Sequence, residues 1–367
     1  MNILIVDQFA QLGGAQRCLI ELIPAFQERN WNLRFAVAGE GPLTEYVRHC
    51  GLGIDLLPAC ALSSLYKPVL EQIRYSAWYS KAAWGLSRIS AEFKPDLLYV
   101  NGPRVLPPAA LVARARRIPL LFHAHNRVVQ RTALGMLRAH LGIARARVIA
   151  CCRYVASALR GQGTTVRIVY NGVPDLHVGP RLPVPDNPVI GVIGRIEPEK
   201  GQREFVQAAR LLYRKCPASR FLVAGAPMSG NGGKYYKEVF EGARDIPLTF
   251  SGWNDDIREI FRQLDLLVVP SLAPEATPRV IMEAFSAGVP VIAFSSGGIP
   301  EIIRDGETGW LVHTRSPEAL ASRILQVFRQ DYGLLGMIAR NARNTWSSNF
   351  RLASYQRRIC EIISEIG

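Results

Sequence analysis

Short apolar segments that each precede a helix-compatible stretch recur along this chain, and they constrain its fold more than any other feature. One set reads NILIVD, LRFAVAG, DLLYVNG, PLLFHAH, RVIACC and VRIVYNG, and a second set after Pro188 reads VIGVIGRI, RFLVAGA, LTFSG, DLLVVPS, PVIAFSS and GWLV. Strands that alternate with helices form βαβ units and a parallel sheet. Continuous rather than alternating hydrophobicity marks strands buried on both faces. Two sets therefore predict two doubly wound α/β domains.

The chain length and one segment rich in Pro and Gly place the domain boundary. At 367 residues the chain exceeds one typical core, so two domains of about 150 to 200 residues are expected. Residues 171–188 lack periodicity and are predicted to be the linker. This gives an N-terminal domain at 1–170 and a C-terminal domain at 189–345. A C-terminal helix at 346–367, capped at Ser347 or Ser348, is expected to pack back toward the first domain.

Membrane-spanning and secretory segments are not expected. No apolar run approaches the ~18 residues of a spanning helix, and the first ten residues, MNILIVDQFA, are typical of a strand rather than of a signal peptide. The seven cysteines show no CxxC or metal-ligand spacing. We therefore expect reduced thiols and a cytoplasmic protein.

Positive charge is concentrated in the N-terminal half. The formal net charge is +14; residues 1–175 hold 21 Lys and Arg against 10 Asp and Glu, or +11, whereas the remainder holds 23 against 20, or +3. Such a field attracts an anionic partner: nucleic acid, a phospholipid surface or a phosphorylated substrate.

Unusual residues follow the strands at their carboxyl ends, where ligands bind in parallel sheets. Gly13 and Gly14 follow the first strand, open a helix and would let the backbone approach an anion. The pattern is not GxGxxG and no acidic residue ends the second strand, so a nicotinamide site is not expected. In GRIEPEKG, Arg195 and Lys200 are either solvated surface cations or a diphosphate clamp.

Two carboxylates flank a predicted short helix in PEATPRVIMEAFSAGVPVIA. Thr277 suits the N-cap, Pro278 the first helical position, and Gly288 the stop, so the helix is expected at 278–287. Glu275 would precede the helix, and Glu283 would lie inside it and be at least half buried. A buried carboxylate needs a partner. Either a nearby Arg or a ligand that carries phosphate and hydroxyls would satisfy it.

These motifs together resemble one enzyme family. GGAQ, YNGV, GRIEPEKG, FSGW, DLLVVPS, PEATPRVIMEAFSAGVPVIA, GGIPEII and GETGWLV stand in the order and spacing of the retaining GT4-type glycosyltransferases of the GT-B fold. The resemblance covers the second half of the chain and the ends of the first-half strands. It implies two Rossmann-like domains that face each other across a cleft. In one respect the chain departs from the family: Ala276, Thr277 and Pro278 stand where the pattern is often Gly-aromatic-Gly.

The resemblance also implies roles for individual residues. Glu283 would hold the ribose hydroxyls of a nucleotide sugar, and Glu275 would position the transferred sugar without forming a covalent intermediate. His125 would line the cleft near that sugar, with His123 on the opposite strand face. The remaining donor-binding positions would be Gly13, Gly14, Arg195, Lys200, Thr277 and Arg279.

The expected activity is transfer of a sugar, with retention, from a nucleotide-diphosphate sugar to a hydroxyl of a glycan or lipid-linked acceptor. No cofactor is expected, and because no Asp-x-Asp pair ends a strand, neither is a metal. UDP- and GDP-sugars are both open. A non-hydrolysing sugar-nucleotide epimerase would share the architecture. A nucleic-acid-binding protein would explain the basicity, but no binding motif supports it, and an inactive binding protein would not need the intact site.

A basic stripe is predicted near residue 80. Lys67, Arg74, Lys81 and Arg88 recur at intervals of seven and would share one helix face, edged by Trp78. Such a stripe suits an anionic membrane surface. The alternative is a solvated face whose aromatic residues pack inward. Our hypothesis is a lipid-linked acceptor at the inner face of the cell membrane, with the protein bound there peripherally.

Overall fold

The computed structural model describes residues 1–59, 69–161, 164–178, 187–227, 232–254, 256–329 and 332–366. Within it the chain forms two compact units, Met1–Asn171 together with Ser354–Gly367, and Gly172–Ala353. The predicted linker at 171–188 thus starts at the division between the units, and its residues 179–186 lie outside the described part.

The first unit is built on a seven-stranded parallel sheet. Its strands are β1 (Asn2–Asp7), β2 (Asn32–Ala38), β3 (Gly53–Leu57), β4 (Leu97–Asn101), β5 (Leu120–Ala124), β6 (Arg147–Ala150) and β7 (Val166–Ile168), in the order β3-β2-β1-β4-β5-β6-β7. The helices are α1 (Gly14–Ile20), α2 (Ile23–Gln27), α3 (Pro42–His49), α4 (Val69–Phe93), α5 (Leu106–Arg116), α6 (Arg131–Ala144) and α7 (Arg153–Leu159).

The second unit is built on a six-stranded parallel sheet. Its strands are β8 (Val189–Ile193), β9 (Arg220–Ala224), β10 (Leu248–Gly252), β11 (Leu266–Val269), β12 (Val291–Phe294) and β13 (Trp310–Val312), in the order β10-β9-β8-β11-β12-β13. The helices are α8 (Gln202–Tyr213), α9 (Gly232–Glu241), α10 (Ile257–Gln263), α11 (Arg279–Ala287), α12 (Ile299–Ile302), α13 (Pro317–Phe328) and α14 (Tyr332–Asn349). A 3-10 turn, Pro198–Lys200, precedes α8.

The two sheets confirm the predicted α/β class. All five residues of β4 and of β5 are buried, as are all four of β11 and of β12, which is the burial that continuous apolar runs indicate. Both sheets change direction of growth beside their first strand, β1 or β8, so the carboxyl ends of those strands and their neighbours are the expected place for ligands.

The C-terminal segment differs from the prediction of one helix at 346–367. Helix α14 runs through Ser347 and Ser348, so neither caps a helix start, and a separate helix, α15 (Leu352–Ser364), follows. From Ser354 onward the chain belongs to the first unit. There Gln356 donates from its side-chain amide to the carbonyl of Glu21 at 2.6 Å.

Among the described residues, no helix is both long enough and apolar enough to cross a bilayer.

Candidate functional site

The helix that carries Glu283 begins one residue later than predicted. Pro278 is the N-cap residue of α11 in an extended conformation, none of the described residues caps the helix start with its side chain, and the helix ends before Gly288. The prediction that Thr277 caps the helix is therefore wrong. Pro278 has an extended backbone, with a ψ of 113°, so Pro278 rather than Thr277 is the flanking residue from which the helix starts.

Glu275 lies in the loop between β11 and α11, and both of its carboxylate oxygens are bonded. The ammonium group of Lys200 lies 2.8 Å from Oε2, and the hydroxyl of Ser271 donates to Oε1. The side chains of Lys200 and Glu275 are only 24% and 17% exposed, so this ion pair is screened less than a surface pair.

The backbone of Glu275 is fixed by the loop after β12. The amide N–H of Gly298 donates to the Glu275 carbonyl at 2.8 Å. Gly297 has a φ of +58°, and a Cβ atom there would lie 2.0 Å from that same carbonyl oxygen. Only glycine allows this approach.

Glu283 pairs with Arg279 one turn earlier on α11. Arg279 Nε lies 3.4 Å from Glu283 Oε1, and the two side chains are 11% and 13% exposed. Arg279 also donates to the carbonyl of Gly172 at 3.4 Å. The partner predicted for a buried Glu283 is thus an arginine of its own helix, and this pair joins α11 to the first residue of the second unit.

Arg195 lies among the acids of its own loop. Its guanidinium is 3.0 Å from Glu197 Oε2 and 3.9 Å from Glu199 Oε1. Burial raises the pKa of the Glu197 carboxyl, and the hydrogen-bonded Glu199 raises this pKa further. The side-chain amide of Gln202 holds the Arg195 carbonyl at 2.7 Å.

The loops that follow β8 and β11 therefore bring together two cations and three acids, Glu197, Glu199 and Glu275. These strands are neighbours in the sheet, and Lys200 of one loop bonds Glu275 of the other. A diphosphate at this edge would compete with the carboxylates for Lys200 and Arg195. Cations aimed at a leaving diphosphate stabilise the charge that develops there.

In the first unit, His125 stands at the end of a buried hydrogen-bonded chain. Its Nε2 lies 2.7 Å from Oδ1 of Asn101, and Nδ2 of Asn101 donates to Oδ2 of Asp7 at 2.5 Å. Asp7 and Asn101 are 0% and 1% exposed. Burial raises the pKa of Asp7 to about 6, against the hydrogen bonds that it accepts.

The Asp7 carboxylate is also linked to the Gly13–Gly14 pair, through the side chain of Gln16. Gln16 of α1 donates from Nε2 to Asp7 Oδ1 at 2.9 Å and accepts the N–H of Gly13 at 3.2 Å. Gly13 is the N-cap residue, and the helix begins at Gly14. The N–H of Gly13 is thus already bonded, whereas the donor-binding role of Gly13 and Gly14 stays a prediction.

His123 and His125 lie on the same face of the chain, with ring centroids 4.0 Å apart. The prediction of opposite faces is wrong, because strand side chains alternate with a period of two. His123 is fully buried, with Nδ1 2.5 Å from the Tyr99 hydroxyl. Burial, and the nearby His125, lower its pKa well below the usual value, so His123 is neutral.

The basic stripe is present in part. Lys81 and Arg88 are exposed on α4, and the Arg88 guanidinium lies 5.3 Å from the ring centre of Trp84, which is 68% exposed. Lys67 and the side chain of Arg74 lie outside the described part.

Trp78 does not border this surface, so that prediction is wrong. Its side chain is 7% exposed, and its indole N–H donates to the Pro58 carbonyl at 2.7 Å. For Trp78, the alternative of an inward-packed aromatic residue is correct.

Sequence reasoning missed Asp7, Gln16, Asn101 and Ser271. Asp7 and Asn101 are the last residues of β1 and β4, and Ser271 lies two residues after the end of β11, in the segments NILIVD, DLLYVNG and DLLVVPS. A polar residue at the carboxyl end of a buried parallel strand was the signal available.

Family models match both parts of the chain. Residues 12–175 match the model described as Glycosyltransferase Family 4, and residues 187–330 match the model described as Glycosyl transferases group 1.

Individual relatives are glycosyltransferases. The chain is 32% identical over 165 residues to a D-inositol 3-phosphate glycosyltransferase of Mycolicibacterium gilvum, covering 43% of this chain and 36% of the relative. It is 24% identical over 179 residues to the putative colanic acid biosynthesis glycosyltransferase WcaL of Salmonella typhimurium, covering 47% and 44%. The chain thus spans less than half the length of these curated relatives.

Solved structures match over the full length. HepE of Anabaena in complex with UDP superposes with a TM-score of 0.82 at 25% identity, and its complex with UDP-glucose with a TM-score of 0.80 at 25% identity. Both comparisons cover 100% of each chain. With two parallel-sheet α/β units and matches to both family models, the chain belongs to the GT4, or group 1, glycosyltransferases of the GT-B fold.

Proposed function

We propose that this protein transfers a sugar, with retention of configuration, from a nucleotide-diphosphate sugar to a hydroxyl of a glycan or lipid-linked acceptor. The observation that carries the proposal is the Lys200–Glu275 ion pair at 2.8 Å. It brings the loops of two neighbouring strands together and places a cation and an acid at the edge of the sheet where such ligands bind.

UDP is the proposed nucleotide. HepE of Anabaena, which resembles this chain over its whole length, forms complexes with UDP and with UDP-glucose. In the proposal, Glu283 accepts hydrogen bonds from the ribose hydroxyls, and Arg195 and Lys200 bind the diphosphate. Gly13, Gly14, Thr277 and Arg279 remain further donor-binding candidates.

The chemistry follows from charge. Cleavage of the sugar–phosphate bond leaves negative charge on the diphosphate and makes the sugar oxocarbenium-like. In this proposal Lys200 and Arg195 stabilise the negative charge on the diphosphate, without a metal ion or cofactor. Glu275 stabilises the positive charge on the oxocarbenium-like sugar. Both of its oxygens are bonded, by Lys200 and Ser271, which favours a positioning and electrostatic role over nucleophilic attack.

A thermal-shift panel of UDP, GDP, ADP, CMP and their sugars tests the donor assignment. A ligand at 100 times its Kd should stabilise the fold by roughly 2.7 kcal/mol, and UDP should give the shift in the wild type. Glu283→Ala should abolish it, whereas Glu307→Ala, which removes an exposed acid of the same unit that pairs with Arg304 at 2.8 Å, should not. A shift from no nucleotide would contradict the proposal.

The reaction itself is tested by product analysis. The anomeric configuration of the product, read by NMR, should match that of the donor, and activity should persist in EDTA. Product that forms from donor without any acceptor would instead indicate an epimerase.

We also propose that the basic surface of α4, defined as Lys81, Trp84 and Arg88, binds an anionic membrane surface that holds a lipid-linked acceptor. Two observations support this partner. No Asp or Glu occurs between Asp96 and Asp175, and α5, which lies in this acid-free stretch, packs against α4. Arg88 lies over an exposed Trp84, a combination of charge and aromatic surface suited to the headgroup region.

Sedimentation with anionic liposomes at low salt tests this binding. Each Lys or Arg near such a surface contributes about 1 kcal/mol, so Lys81→Gln with Arg88→Gln should weaken binding by roughly 30-fold. Lys237→Gln with Arg244→Gln removes two exposed cations of the other unit and should leave binding unchanged. No sedimentation by the wild type would favour a soluble acceptor.

A further inference from the structure

Asp7 has no place in the proposed chemistry, yet it is a buried carboxylate that joins two elements beside His125. It accepts hydrogen bonds from Asn101 of β4 at 2.5 Å, from Gln16 of α1 at 2.9 Å and from the backbone N–H of Phe9 at 2.9 Å. A carboxylate with this exposure, 0%, persists only where its lone pairs are used.

The direction of every bond in this chain follows from the acceptor character of the carboxylate. An ionised Asp can only accept, so the amide NH₂ of Asn101 must face it. The carbonyl oxygen of Asn101 then faces His125 Nε2, 2.7 Å away, and Nε2 must carry a proton. In neutral His125 the lone pair is therefore on Nδ1.

We propose that Asp7 is a positioning residue that fixes the Nε2–H tautomer of His125 through Asn101. The effect of this tautomer on sugar transfer is the part of the inference that rests on the proposed function. The tautomer assignment depends only on the hydrogen bonds within the first unit.

Substitution of Asp7 by Asn gives a definite expectation because one of its two oxygens faces a backbone donor. Oδ1 accepts from the Phe9 N–H, which cannot be reversed, and from Gln16. In Asp7→Asn the carbonyl oxygen of the new amide would keep that place, and its NH₂ would face Asn101. Asn101 would turn its own amide to accept, present NH₂ to His125, and shift the imidazole proton to Nδ1. Where an Asp bonds a catalytic His directly, the same Asp-to-Asn change alters the tautomer and leaves the geometry intact.

The test is the ¹H–¹⁵N long-range spectrum of the full chain labelled with ¹⁵N-histidine, which reports the tautomer directly. His125→Ala identifies the His125 signals by their disappearance. We expect an Nε2–H pattern in the wild type and an Nδ1–H pattern in Asp7→Asn. Asp55→Asn, in which the isosteric change is on β3 beside Arg34, should keep the wild-type pattern.

The two opposite spectra overturn the inference: an Nδ1–H pattern in the wild type, or an unchanged pattern in folded Asp7→Asn. If Asp7→Asn does not fold, Asn101→Ala replaces it. That variant removes the link and should bring His125 to a mixture of tautomers, whereas a retained pure Nε2–H pattern overturns the inference.

A kinetic cycle separates this inference from the proposed function. Asp7→Asn should lower kcat/KM by about 2- to 150-fold, the range of coupling within one hydrogen-bond network. In the His125→Ala background the same change should have no further effect. Full activity of His125→Ala would refute a role of His125 in the proposed reaction, while the spectra would still decide the tautomer assignment.

Discussion

At the scale of the residue, Asp7 links folding stability to pH with an uncommon sign. Burial raises its pKa from 3.8 to about 6, so the folded protein holds the proton more tightly than the unfolded chain. The contribution of Asp7 to the free energy of unfolding is then largest below pH 4, and it falls as the pH rises through about 6. The decrease is about 3 kcal/mol, from 1.36 kcal/mol per pKa unit.

We predict that Asp7→Asn removes this slope. The difference in unfolding free energy between wild type and variant should change by about 2.4 kcal/mol between pH 4 and pH 7, in favour of the variant at the higher pH. Chemical unfolding at unit pH steps measures it, and the comparison cancels the other carboxylates. Asp245, whose pKa is lowered by its hydrogen bond to Arg210, should give a slope of opposite sign in Asp245→Asn. A difference that is constant with pH contradicts the prediction.

At the scale of the element, the loop after β8 depends on close packing against the end of β11. Gly201, the first residue after the 3-10 turn, has a φ of +73°, and a Cβ atom there would lie 2.0 Å from the Pro270 carbonyl oxygen. The adjacent Lys200 reaches Glu275 from this turn. The position of a proposed diphosphate-binding cation is thus set by the contact between two backbones.

We predict that Gly201→Ala destabilises the second unit by more than about 2 kcal/mol and weakens UDP binding. The left-handed conformation alone costs about 1 to 2 kcal/mol, and the clash with Pro270 must add to it. Gly306→Ala is the matched control, because Gly306 has a φ of +74° and no atom of the described residues lies within 4 Å of the position of an added Cβ. Calorimetry and UDP titration of both variants measure the difference. Equal effects would show that the close packing does not matter.

Elements differ in how well the sequence predicts them, for a physical reason. Buried strands such as β4 and β11 are indicated by continuous hydrophobicity, whereas β3 was missed. It is an edge strand with only Leu57 buried, and Asp55 on it pairs with Arg34. Helix α11 was predicted to within one residue because its stop signal is local. The break between α14 and α15 was missed because the parallel bridge of Val173 with Arg351 joins distant parts of the chain.

Side-chain partners were the least predictable part of the site. A partner for Glu283 was expected, but whether it was Arg279 or a ligand could not be chosen from spacing alone. Lys200 was predicted as a cation at a strand end, but its bond to Glu275 joins residues 75 positions apart. The spacing of residues along the sequence does not show which side chains of neighbouring loops will contact each other.

At the scale of the whole molecule, the first unit is completed by the last residues of the chain. Helix α15 buries Tyr355, Ile359, Cys360, Ile362 and Ile363. The Tyr355 ring lies 6.4 Å from that of His123, and Glu365 pairs with Arg167 at 2.6 Å. The second unit ends at Ala353 and does not include these contacts. Removal of the segment should therefore affect the two units unequally.

We predict that a chain ending at Ala353 loses the folded first unit and keeps the second. Burial of an Ile or a residue of similar size contributes about 1.5 to 3 kcal/mol, so α15 contributes on the order of 10 kcal/mol, which is comparable to the whole stability of a typical domain. Hydrogen exchange should then show loss of protection in β1 and β4 and full protection in β8 and β11. A chain ending at Ser364 is the control, since it removes the ion pair of Glu365 but keeps every buried residue of α15. Protection of β1 and β4 in the shorter chain would mean that the first sheet closes its core without this helix, and that its last segment serves another purpose.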